Sequence, residues 1–114
     1  MVKGKKHYIP DRGDFVWLQF DPKAGHEQAG IRPAFVVSPK SYNSVVGLAL
    51  MCPITSKVKG YPFEVAVLLE KVRGAVLSDQ IKSLDWRARR AKFISKAPSP
   101  VVTEVLEKVR SIIA

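Results

Sequence analysis

Apolar residues fall along this chain in two spacings, and each spacing predicts a different kind of element. Gly13 to Phe20 (GDFVWLQF) is rich in β-branched and aromatic residues and predicts a strand. Pro33 to Val37 predicts a second, closed by Ser38-Pro39, with Ser41-Tyr42-Asn43-Ser44 as turn material. Val46 to Cys52 (VGLALMC) is almost continuously apolar and predicts a third, central strand, with Thr55 and Ser56 just beyond it after Pro53. Phe63 to Leu69 alternates as a fourth, Arg73-Gly74 turns the chain, and Ala75 to Ser78 forms a fifth. Asp79 to Arg90 is polar, and the spacing of Ile81 and Leu84 fits one short helical turn or an irregular strand; Ala91 to Ile94 follows as a last short strand. The spacing then changes. Val101, Val105, Val109 and Ile112 recur at helical intervals, widened by Val102, Leu106 and Ile113, with Ser99 as the expected N-cap and Pro100 as the first helical residue. Short strands followed by one amphipathic helix imply a mainly β (β+α) fold, a small curved sheet or barrel with a helix against it.

Residues 1–114 are expected to form one domain, small enough to gain from dimerisation. Nineteen Lys and Arg against ten Asp and Glu give a formal net charge of +9. That excess favours polyanionic partners, namely nucleic acid, an anionic membrane surface or an acidic protein segment, although on charge alone a merely soluble basic surface fits equally well. A lone Cys52 in an apolar run cannot form an intramolecular disulfide and reads as a small buried hydrophobe. One Cys and two His cannot assemble the usual structural zinc site. No signal-peptide core follows MVKGKKHY, the first dozen residues of the chain read as loosely held, and no apolar stretch approaches membrane-spanning length, so a cytoplasmic protein is expected.

The chemistry gathers in GHEQAGIRPAFVVS, Gly25 to Ser38, where a polar loop runs straight into an apolar strand. Glu27 and Arg32 there suit a loop-steadying ion pair, or a carboxylate and a guanidinium fork that meet a ligand. Thr55 and Ser56 suit strand-end hydroxyls that satisfy backbone. Lys57, Lys59 and Tyr61 suit either a solvated turn or a surface for single-stranded bases. Trp86 reads as a core or interface anchor rather than a stacking platform, whereas the arginines beside it (WRARR), with Lys92 and Lys96, are the densest positive patch. His7 and His26 read as solvated. No phosphate-binding glycine loop, paired-carboxylate signature or metal-ligand cluster is present. Cleavage of nucleic acid by such a chain would then use RNA, whose 2′-hydroxyl can attack the adjacent phosphorus without a metal.

Four segments in order, YIPDRGDFVWLQFDP, GHEQAGIRPAFVVSP, MCPITSKVKGYPFEV and LSDQIKSLDWRARRA, closely resemble the MazF family of toxins of bacterial toxin–antitoxin pairs. The resemblance spans essentially the whole chain. It implies an SH3-like twisted barrel with a C-terminal helix, a homodimer with an RNA groove at its interface, and a MazE-like antitoxin whose acidic tail covers that groove. It further implies a metal-independent endoribonuclease without cofactor that cuts single-stranded RNA (mRNA, or rRNA and tRNA) at a short motif. Carried over by position, Arg32 and Thr55 match the principal catalytic pair, Glu27 an active-site acid and Gln28 its neighbour. Phe20, Ser56, Lys57, Lys59, Asp79, Gln80, Lys82, Arg87 and Arg89 are the expected RNA-binding residues. Related toxins of this fold use an aspartate and an arginine late in the chain; Asp79 matches the first, and Leu77 stands where the second would be. A non-catalytic nucleic-acid-binding barrel and a gyrase-poisoning toxin of the same fold are the rival classes.

Overall fold

A computed structural model describes residues 7–20 and 30–114. Its strands are β1 (Asp14–Gln19), β2 (Ile31–Val36), β3 (Ala49–Thr55), β4 (Glu64–Leu68), β5 (Arg73–Leu77), β6 (Lys82–Leu84) and β7 (Lys92–Lys96). The helices are α1 (Lys40–Val46) and α2 (Ser99–Ile113), and a single 3-10 turn covers Ser78–Gln80. All pairings are antiparallel, in the order β4-β5-β3-β2-β1-β7. Along one edge, β3 pairs first with β6, through Ala49 to Met51, and then with β5, through Ile54 and Thr55. This change of partner curls the sheet into the twisted, SH3-like half-barrel that the resemblance implies, with α2 as its C-terminal helix.

The central strands β1, β2 and β3 carry buried apolar residues on both sides because both sides are covered there. One face (Phe15, Phe35, Cys52, Ile54, Val65, Val76) packs against Val105 and Val109 of α2. The other (Val16, Leu18, Ala34, Val36, Met51) closes over Leu84 and Trp86. Trp86 is thus a core residue, and its indole Nε1 donates to the Asn43 carbonyl at 3.1 Å. The edge-on stack of Phe15 and Phe35, 5.9 Å between centroids, marks the centre of the larger core.

Several expectations need correction. Ser41 to Ser44 are not turn material and Val46 is not in a strand: both belong to α1, which ends at Gly47 in the left-handed region (φ 81°). The only buried residue of α1 is Asn43, so no apolar stripe announces the helix. Asn43 holds it in place instead, donating to the Pro10 and Ser38 carbonyls at 2.8 and 3.0 Å and accepting from Ser38 Oγ at 2.5 Å. The third strand is displaced to Ala49–Thr55, so Thr55 lies within it rather than beyond it. Ser99 is not the N-cap of α2 but its first helical residue. Pro98 takes the cap position, with its carbonyl receiving the Val101 and Val102 amides at 2.9 and 3.1 Å. Asp79 to Arg90 contains both the 3-10 turn and β6.

The described part of the N-terminal segment is firmly held. Buried Asp14 accepts from the Tyr8 hydroxyl at 2.5 Å and the Asp11 amide at 3.0 Å, and pairs with the Lys96 ammonium at 2.8 Å. Burial, reinforced by that carboxylate, raises the Tyr8 phenol above its ordinary range, and the bond to Asp14 raises Lys96.

Candidate active site

Arg32 is exposed on β2, where its β1 neighbour is Leu18. On the other side β2 pairs with β3 through Val36↔Met51, Phe35↔Cys52 and Ala34↔Pro53. Continued in the same register, the strands bring Arg32 across from Thr55, on the side of the sheet that Ala34 and Pro53 share. Among the described residues no carboxylate is paired with Arg32. Glu27, Gln28, His26 and Gly25 lie outside the described residues, and with them the expected Glu27–Arg32 pairing.

Thr55 is fixed by its surroundings. Its Oγ1 accepts the Lys57 amide at 3.0 Å, and its residue pairs with Ala75 of β5. The preceding residue of β5, Gly74, runs so close that a Cβ there would meet the Thr55 carbonyl oxygen at 2.0 Å, and its φ of +141° is one that glycine alone adopts readily. Gly74 is therefore not simply a turn former. It lies inside β5 and lets that strand press against the end of β3.

Ser56, Lys57 and Lys59 are exposed on the segment that follows Thr55. Tyr61, in the same segment, donates its hydroxyl to Asp79 Oδ1 at 2.6 Å. That bond, ahead of desolvation and the Asp79 charge, pushes the Tyr61 phenol up to about 12. Cys52 is buried with its thiol also pushed up to about 12, chiefly by desolvation, which removes it as a nucleophile.

Residues 11–113 match the family model of the PemK-like, MazF-like toxins of type II toxin–antitoxin systems. The chain belongs to this family. It is 52% identical over 84 residues to the endoribonuclease toxin MazF of Escherichia coli (strain K12), a match covering 74% of this chain and 76% of that one. A crystal structure of MazF from Deinococcus radiodurans superposes with a TM-score of 0.84 at 53% identity, covering 94% of this chain and 98% of the other. A chain of a MazE–MazF crystal structure from the same organism gives a TM-score of 0.83 at 47% identity, covering 94% of this chain and 97% of that one.

The remaining positions that the family resemblance singles out do not gather at one point. Gln80 is exposed at the end of the 3-10 turn, and Lys82 is exposed on β6 opposite Met51. Phe20 is half-buried against the Trp86 side of the core, and its amide donates to the Gly30 carbonyl at 2.8 Å. Arg87 is exposed and lies over the Trp86 ring, 5.1 Å from its centroid. Arg89 is partly engaged in the fold, since its Nη1 donates to the carbonyls of Gln19 and Phe20 at 3.1 and 2.6 Å. It thereby fastens the end of β1 to the turn before β7. His7 is exposed, as expected of a solvated histidine.

One feature of this toxin was not foreseen from sequence, a cleft of about 700 Å³. Trp17, Leu18, Gln19 and Ile31 form one side, and Arg89, Arg90 and Lys92 the other. Neither Arg32 nor Thr55 lines it, so it is a neighbour of the candidate catalytic pair rather than its container. Trp17, 39% exposed on a strand otherwise buried up to Leu18, is the residue that signals it.

The positive surface has a structural cause beyond the count of lysines and arginines. Many carboxylates are occupied by backbone amides and local partners. Asp11 accepts from the Lys40 and Arg12 amides, the first chiefly holding its carboxyl below the ordinary range. Asp85 accepts from the Arg87 and Ala88 amides, and Glu64 from those of Lys59 and Gly60. The acids thus stabilise turns while the exposed cations face solvent.

Proposed function

We propose that this chain is an endoribonuclease toxin, held in check by an antitoxin, that cuts single-stranded RNA at a short sequence motif without a metal ion. The observation that carries the reading is the β2–β3 register, in which a guanidinium and a hydroxyl face the same side of two adjacent strands. The RNA's 2′-oxygen attacks the adjacent phosphorus, the 2′-O–P bond forms and the P–O5′ bond breaks. The ends are a 2′,3′-cyclic phosphate and a free 5′-hydroxyl. Arg32, an obligate cation, clamps the phosphorane and hydrogen-bonds the departing 5′-oxygen, which takes its proton from water; Thr55 hydrogen-bonds a non-bridging oxygen. Glu27, assigned by family resemblance, takes the 2′-hydroxyl proton, with Gln28 beside it.

Around this centre, exposed Ser56, Lys57 and Lys59 are the groups proposed to read bases, with Val58 between them. Lys82, Arg87 and Arg89 carry the flanking phosphates, and Phe20, Asp79 and Gln80 border the path. The functional unit is a homodimer with the groove at its interface, and the antitoxin is MazE-like, with an acidic tail opposing the +9 charge. The MazE–MazF assemblies known among close relatives support the antitoxin. No helix among the described residues is long and apolar enough to cross a membrane.

The proposed nucleophile has a direct test. An RNA oligonucleotide cut by the protein is resynthesised with a single 2′-deoxy sugar on the 5′ side of the scissile phosphate. Cleavage at that bond should disappear while binding changes little. Continued cleavage at that bond would rule out attack by the 2′-oxygen.

A further inference from the structure

The chain between β3 and β4, from Ser56 to Phe63, makes more bonds than a connection between two neighbouring strands requires. The Glu64 carboxylate accepts from two successive amides, Lys59 at 3.0 Å and Gly60 at 2.7 Å. The Glu64 amide in turn donates to the Tyr61 carbonyl at 3.1 Å, closing the turn on itself. A second tie comes from far along the chain: Lys108 of α2 donates its ammonium to the Pro62 carbonyl at 2.6 Å, with Glu104 at 3.7 Å beside it. The Ser78 amide donates to the Phe63 carbonyl at 3.1 Å. The loop is therefore held at its base, its middle and its far end, while Ser56, Lys57, Val58 and Lys59 remain exposed.

Each tie joins the backbone and leaves those four side chains free. Glu64, the first residue of β4, is also an acid beside a basic loop, where a bare carboxylate would repel a phosphate chain. Two amide donors take up its charge, which turns a liability for RNA binding into a brace. A loop ordered in advance loses less conformational entropy when a ligand docks and offers its side chains in one geometry.

We propose that Glu64 and Lys108 are positioning residues for RNA recognition: without touching RNA, they hold the Ser56–Phe63 loop in the one shape that reads the cut motif. The inference rests on the endoribonuclease reading. Its consequence is a mechanical link from α2, on the back of the sheet, to the base-reading edge.

The test compares the parent protein with Glu64→Gln and Lys108→Met, and with Lys108→Arg as the conservative rescue. Three quantities are read: amide exchange at Lys59 and Gly60, cut-site distribution on a randomised RNA pool, and KM against kcat on the preferred site. Both disruptive variants should stay folded and exchange faster in the loop. They should lose about ten-fold in discrimination against single-base variants of the site, through KM, with kcat within about three-fold of the parent. Lys108→Arg should restore discrimination. Unchanged exchange in both variants, or faster exchange with parental discrimination and KM, would overturn the positioning role alone. A parent protein that cuts no RNA would overturn the nuclease reading and this inference with it.

Discussion

Arg32→Ala should abolish RNA cleavage while leaving a folded protein. The two halves of that expectation come from different facts. The side chain is exposed near the start of β2, whose burial begins at Ala34, so its loss leaves no cavity and strands no buried polar group among the described residues. An exposed strand position of this kind costs little stability when changed. Catalysis is another matter. Charge develops on phosphorus-bound oxygens as the 2′-oxygen attacks, and a fixed guanidinium beside them is worth far more there than in the ground state. A loss of about 10³-fold in kcat, some 4 kcal/mol of barrier, is the expected scale. Arg32→Lys should recover only part of it, because an ammonium cannot grip two oxygens in one plane. The check is a single-turnover rate on one RNA alongside thermal unfolding of both variants. A folded Arg32→Ala protein cutting at the parental rate would remove Arg32 from the site.

Gly74→Ala should be the most damaging of the small substitutions. A methyl group would have to fit where the Thr55 carbonyl oxygen stands 2.0 Å away, with the carbonyl carbon at 2.9 Å. Neither atom can swing aside as the tip of a flexible side chain can; the end of β3 must move, and Thr55 with it. Backbone strain at φ +141° adds to the clash, for a combined cost of about 2–5 kcal/mol. The unfolding midpoint should fall by about 10 °C or more. Cleavage should fall further than the unfolded fraction accounts for when assayed cold. Gly47→Ala is the control: its φ of +81° is equally left-handed, yet nothing lies within 4 Å of the added carbon, so only the strain of about 1 kcal/mol remains. Equal effects from the two substitutions would contradict the argument from close packing.

These two residues also show how legible the molecule was beforehand. The strands and α2 could be read because hydrophobic periodicity reports burial, and the family motifs pointed to Arg32 at once. Gly74 looked like a turn because its reason for being glycine is the backbone of Thr55, nineteen positions earlier, which no local pattern records. Thr55 was read as lying past the strand because Pro53 looked like its end. In fact Pro53 occupies the gap where β3 has left β6 and not yet met β5, so its missing N–H is not needed on that edge. The short helix α1 was invisible because it is anchored by hydrogen bonds of Asn43 rather than by an apolar face. No local pattern singles out Glu64 or Lys108. Their bonds to the loop amides and to the Pro62 carbonyl, the latter 46 residues away, exist only after folding.

RNA cleavage by this chain is expected to use only its own side chains and the RNA's 2′-hydroxyl. The deciding experiment incubates the purified protein, in EDTA, with a defined mixed-sequence RNA and identifies both new ends at every cut. Cuts confined to one short motif, each leaving a 2′,3′-cyclic phosphate and a 5′-hydroxyl, are the predicted result. Intact RNA, or cuts leaving 5′-phosphates, would contradict it.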